Sequence, residues 1–156
     1  LGDYDLSSTD RLLSMVRAVV PLVDFRLRIG FRGHPSTTID PDDYRDLDLC
    51  LVKQSLEVEL AAYDAVFSGN FTSASLERYL MGMPTIVMHD LSGLNFSPLA
   101  GVQGSRFAGS ATELAFHLTS IAEGEGGGPS MRINEFFWLD AEFPRWRQAL
   151  NLSGGR

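Results

Sequence analysis

Residues 64–89, DAVFSGNFTSASLERYLMGMPTIVMH, decide the fold. Residues 64–68 are a short apolar run, residues 69–73 (Gly-Asn-Phe-Thr-Ser) a turn, and residues 74–81 a helix. Gly82 suits the position just past that helix, and Pro84 forbids its continuation. Residues 85–89 are rich in β-formers and read as a second strand. Strand, turn, helix and strand within 26 residues make a βαβ unit, whose two strands lie parallel.

Working outward, the same alternation recurs. Residues 25–31 alternate Phe, Arg, Leu, Arg, Ile, Gly, Phe, a period-two strand running into Gly33-His34-Pro35. Residues 47–52 are a short strand, and Ser55 caps a helix reaching Tyr63. On the N-terminal side, Ser7, Ser8, Thr9 and Asp10 offer caps to a helix with Leu12, Leu13, Val16, Val19 and Val20 at helical spacing, which Pro21 closes. On the C-terminal side, residues 106–108 are a last strand and Ser110 caps a helix over residues 111–122. Residues 36–46 read as a polar surface loop and residues 90–104 as a glycine-dotted one. Residues 123–130 form a flexible Gly-rich loop, and the aromatic-rich residues 134–150 are partly helical, with Pro144 near the start of the last helix.

The expectation is one α/β domain over residues 1–156, with a mainly parallel sheet covered by helices on both faces. The opening Leu1-Gly2-Asp3 reads as the interior of a longer chain.

Composition narrows the function. Lys+Arg 13 against Asp+Glu 20 gives a net charge of −7, which argues against nucleic-acid binding, since that needs a basic face. A small phosphorylated ligand remains open, because a few backbone N–H groups can hold one. No apolar run approaches the roughly 20 residues of a membrane span. The single Cys50 excludes an intrachain disulfide, reads as a buried strand thiol, and fits a reducing cytoplasm. There is no P-loop, no Gly-x-Gly-x-x-Gly, no Gly-x-Ser-x-Gly and no Cys/His cluster with metal-ligand spacing, so neither a metal nor a cofactor is expected.

Ligands of open parallel sheets bind beyond the carboxyl ends of the strands. Two places qualify: His34-Pro35 and residues 68–73. Gly69 permits a tight turn, Asn70 follows it, and the small residues Thr72, Ser73 and Ala74 let a ligand approach backbone N–H groups at a helix start. Thr72 and Ser73 add hydroxyls, and Glu77 lies about one turn into the helix, placed to accept bonds from a ribose. The plainer account is that Thr72, Ser73 and Ser75 cap the helix while Glu77 closes a capping box. At His34 the following proline fixes the turn, so the imidazole projects from a rigid corner.

The string Ser-Gly-x-x-Thr-x-x-x-x-Glu-x-x-x-x-Gly-x-Pro, from Ser68 to Pro84, resembles the donor-site signature of glycosyltransferases of the GT-B fold. Those proteins pair two Rossmann-like domains, the C-terminal one binding the nucleotide-sugar. The resemblance implies a Rossmann-like three-layer α/β/α fold, half of a GT-B enzyme. It implies donor-phosphate contacts at Thr72 and Ser73, a ribose contact at Glu77, and donor binding shared with Gly69 and Asn70. The strand followed by His34-Pro35 is similar to the His-Pro motif of bacterial sialyltransferases, Kdo transferases and capsule glycosyltransferases. There the catalytic His bonds the donor phosphate and stabilises the departing nucleotide. His89, ending another strand, is placed to reach sugar or nucleotide, and Asn95 follows in a segment that contacts donor sugar in related enzymes.

The expectation is thus a nucleotide-sugar donor-binding domain from bacterial surface polysaccharide synthesis, cytoplasmic or peripheral at the inner membrane face. Its partner would be an N-terminal Rossmann-like domain of the same protein, and the isolated piece would not turn over. Alternatives are a nucleotide-sugar epimerase, a CDP-glycerol-type polymerase, or a non-catalytic Rossmann-like interaction module. Arg32 reads as a partner of Asp40, Asp42 or Asp43, and His117 as packing or surface. Phe136, Phe137, Trp138, Phe143 and Trp146 read as an aromatic cluster packing the last helix.

Overall fold

The first helix, α1 (Leu6–Val19), begins earlier than its Ser/Thr run suggests. Asp5 is extended and its carboxylate accepts from the Ser8 amide, so Asp5, not residues 7–10, is the cap. Pro21 is accommodated in a 3-10 turn, Val20–Leu22, that ends the element. The coordinates are a computed structural model and describe residues 1–52, 62–89, 93–125 and 144–150.

Strand β1 (Ile29–Phe31) is shorter than the alternation over residues 25–31. Its parallel partner β2 (Leu49–Leu51) is three residues long, and a strand extends only as far as another backbone answers its N–H and C=O groups. Cys50 is exposed, not buried: among the described residues β2 pairs with β1 alone and forms the sheet's outer edge. The stretch 36–46 is more than a polar loop. It holds a 3-10 turn, Pro41–Tyr44, capped by Asp40, and it delivers Ile39 and Tyr44 to the core beside Leu12 and Leu13.

The decisive segment folds as it reads. Strands β3 (Val66–Ser68), β4 (Thr85–Met88) and β5 (Arg106–Ala108) form a parallel three-stranded sheet in the order β3-β4-β5, with helix α2 (Ala74–Leu80) connecting β3 to β4. Gly82 has φ 84°, a conformation that favours glycine, and it lets the Gly82 and Met83 amides close on the Tyr79 and Arg78 carbonyls. Helix α3 (Ala111–Ala122) is capped by Ser110, whose hydroxyl accepts from the Glu113 amide while Glu113 accepts from Gly109 N–H.

All of β4 is buried, and its side chains alternate between two helical layers. Ile86 packs with Val19, Leu114 and Ala115 from α1 and α3, whereas Val87 packs with Leu76 and Tyr79 from α2. The fold is therefore mixed α/β, with parallel sheets and helices on both faces.

Residues 1–2 lie between the two sheets. The Leu1 nitrogen donates to Phe67 O at 2.7 Å, Gly69 N donates to Leu1 O at 3.3 Å, and Gly2 N donates to Arg32 O at 2.8 Å. The carboxyl ends of β1 and β3 are thereby drawn to a common edge. A last short helix, α4 (Pro144–Ala149), carries an exposed Trp146. The helix expected from Ser55, the Gly-rich residues 126–130 and Phe136, Phe137, Trp138 and Phe143 lie outside the described residues. Among the described residues no helix is long and apolar enough to cross a membrane.

Candidate functional site at the carboxyl edge of the strands

Asp3 organises the edge where β1 and β3 end, although the motifs pointed elsewhere. It is 1% exposed. Its amide donates to Thr9 Oγ1, its Oδ1 accepts from Tyr4 N at 2.8 Å, and its Oδ2 sits 3.4 Å from Phe71 N. A Cβ on Gly69 would lie 2.2 Å from that Oδ2. Glycine is thus required here because a carboxylate from another segment occupies the space.

His34 projects into solvent from the turn after β1. Its Nδ1 lies 2.6 Å from Ser36 Oγ and within 3.2 Å of the Ser36 amide, which fixes the ring and leaves Nε2 facing outward. The loop is tied inward at one point. Ser36 Oγ and Thr37 Oγ1 both donate to the Tyr4 carbonyl, at 3.0 and 2.7 Å. The Tyr4 ring meets the edge of Phe71 at 5.5 Å, and Phe71 stacks on Phe96 at 5.0 Å. All three rings are about half exposed. The loop after β1, the segment before α1, the turn after β3 and the loop after β4 therefore form one continuous rim.

The turn after β3 spends much of its polarity on itself. Asn70 is buried: its Nδ2 donates to Leu94 O at 2.9 Å and its Oδ1 accepts from Ser97 N at 3.1 Å. That amide clamps the loop after β4, and Asn95 turns its own Oδ1 to Ser97 N. Thr72 Oγ1 accepts from Ala74 N at 3.2 Å, while Ser73, at the N-cap, makes no side-chain capping bond and is exposed. Glu77 does not close a capping box. Its side chain is 61% exposed and lies 3.6 Å from Arg78 Nη2.

His89 is half-buried at the end of β4, its amide bonded to Ala108 O and its ring edge-on to Phe107. His117 Nε2 lies 3.0 Å from Phe107 O, a packing role. No hydrogen bond joins His34 to Thr72 or Ser73 among the described residues; the link runs through Ser36, Tyr4 and Phe71. The acidic loop is occupied by its own neighbours: Asp42 pairs with Arg45, Asp46 with Arg17, and Asp40 caps its turn. Among the described residues, no group of three or more His, Cys, Asp or Glu side chains is placed to hold a metal ion.

Comparison with known proteins adds no relative: no protein-family model, curated protein or solved structure matches this chain.

Proposed function

We propose that this chain is a Rossmann-like donor-binding domain of a GT-B glycosyltransferase, holding a nucleotide-sugar for bacterial surface polysaccharide synthesis in the cytoplasm. One observation carries the proposal. Parallel strands of the two sheets end at the His34 corner and at the Thr72-Ser73 turn, residues 1–4 tie those ends together, and His89 ends the adjacent strand β4; parallel α/β sheets hold ligands at this kind of edge. In this reading His34 Nε2 and the outward Ser73 hydroxyl face the donor phosphate, and Thr72 orients the turn through Ala74 N. His34 would stabilise charge developing on the departing nucleotide. Glu77 would hold the ribose from the exposed first turn of α2. Gly69 and Asn70 act by shaping the turn, because Asp3 fills the space over Gly69 and Asn70 bonds the loop after β4. The acceptor would come from a second Rossmann-like domain, so the prediction is binding without turnover by this piece.

The exposed rings of Tyr4, Phe71 and Phe96 on the same rim favour a second reading, a module that docks a protein partner there. Calorimetric titration with CMP-, UDP-, GDP- and CDP-linked ligands separates the two. A donor site binds one of the four and loses about tenfold or more in affinity with His34→Ala, the loss of one charge-assisted hydrogen bond. If the folded protein binds none of them, the donor reading is wrong.

A further inference from the structure

A cavity of about 670 Å³ runs through the layer of the sheets, between β1 and β3. Ile29 and Phe67 flank it in the sheet, Leu13 and Leu118 line the face under α1 and α3, and Tyr63 and Arg78 line the opposite face. A void bounded by two strands in its plane and by side chains above and below has the shape of an absent strand.

The backbone says which way that strand would run. Leu1 N donates to Phe67 O and accepts at its carbonyl from Gly69 N, the one-residue offset of a parallel ladder centred on Ser68. Gly2 N turns the other way, to Arg32 O on the β1 side. Residues 1–2 are thus the last rungs of a strand parallel to both neighbours. Val66 N is committed to Pro84 O on the β4 side, and Ile29 N to Asp48 O on the β2 side. Alternation therefore turns the polar groups of Ala65, Phe67 and Gly30 into the void. Burial pushes the Leu1 amino group down to about 5, so the position favours a neutral peptide N–H over a charge.

We propose that this void is the seat of a central parallel β-strand, continuous with Leu1 and supplied by the residues that run into it in the full-length protein. The spacing of β1 and β3 needs one strand between them, about 4.8 Å from each. The register with residues 65–67 calls for about three preceding residues to fill the ladder, at about 3.3 Å apiece. The face under α1 and α3 is apolar, while the opposite face carries the Tyr63 ring and Arg78, so the strand turns Val/Ile/Leu-type side chains at least toward α1 and α3. With it, the two sheets become one of six strands, the first in the middle, the second and third on one side and the fourth to sixth on the other, the doubly wound order. The rim carrying Asp3 and Gly69 then lies where that order reverses. The seat exists whatever the rim binds, so failed nucleotide titrations would leave it standing.

The test adds four residues before Leu1 in three versions: Ile-Val-Ile-Val, Gly-Ser-Gly-Ser, and Ile-Val-Pro-Val, whose proline falls where the register requires an N–H toward Ala65 O. The apolar extension is expected to raise Tm by about 5 °C over the Gly/Ser one, and to slow amide exchange at Phe67 and Gly30 about tenfold. The proline version should lose most of both gains. Equal Tm and equal exchange in all three would overturn the proposal. So would a Tm gain that the proline version retains, since that reports greasy contact and not a hydrogen-bonded strand.

Discussion

At the scale of single residues, the rim is held by groups that reach across sequence, and two substitutions test this. Gly69→Ala would place a methyl 2.2 Å from Asp3 Oδ2, and Asp3 is buried and bonded at both oxygens. Relief requires moving a segment, so the expected loss is about 1–3 kcal/mol, the usual scale for overpacking. Chemical denaturation measures it. A change below a few tenths would mean that Asp3 swings away freely. Asn70→Ala strands the Leu94 carbonyl and leaves the Ser97 amide only its bond to Asn95 Oδ1, removing one clamp for a whole loop. Its expected signature is local: about 1–3 kcal/mol, with faster exchange at the Ser97 amide than anywhere in β3 or β4. The sequence marked Gly69 and Asn70 as special and assigned them to a ligand. Their partners come from residues 3, 94 and 97, and no motif window includes such distant contacts.

At the scale of elements, caps and docking contacts decide what is stable. Helix α3 is legible from Ser110 just before an apolar run: its hydroxyl accepts from the Glu113 amide, while the Glu113 carboxylate reaches one residue further back, to Gly109 N–H. Ser110→Ala should lower stability by about 1 kcal/mol in denaturant titration, with the far-UV spectrum of the native state unchanged. At the start of helix α1 four capping residue types stand in a row, residues 7–10, yet the cap is Asp5, outside that row. The 3-10 turn Pro41–Tyr44 was missed altogether, its aspartates masking Tyr44. That phenol donates to Asp10 on α1, and the Arg17 guanidinium lies 5.5 Å from its ring. Burial first, and then the bond to Asp10, pushes the phenol up to about 12. The folded protein keeps a proton that the unfolded chain releases near pH 10, so the contribution is complete below about pH 10 and drains away as pH rises to about 12. Tyr44→Phe should be less stable at neutral pH yet show a shallower decline across that window. Parallel declines in the two proteins would remove Tyr44 as a cause.

At the scale of the molecule, β4 ties the core together and the gap beside β3 divides it. Ile86, Val87 and Met88 each enter a different apolar cluster, one per helical face and one reaching α1 with the 3-10 turn. Sheet, helix pair and turn should therefore lose their packing together when β4 is damaged. Ile86→Ala, at a fully buried position, is expected to cost about 2–5 kcal/mol. The alternation of strands and helices was readable because each element carries its own period. The division into two sheets was not, because strand order depends on pairings between distant segments, and periodicity is silent about them. That division has a dynamic consequence. Among the described residues, strands β1 and β2 pair with each other and are tied to β3 by the backbone hydrogen bonds of residues 1–2, while β3, β4 and β5 share a continuous ladder. Local opening free energies follow such connectivity. Native-state exchange should find the amides of β4 protected to the global limit, and those of β1 and β2 opening at a lower free energy. Uniform protection across all five strands would show that side-chain packing couples the sheets, through the apolar contacts that Met15 and Val16 of α1 and Phe67 of β3 make with both clusters.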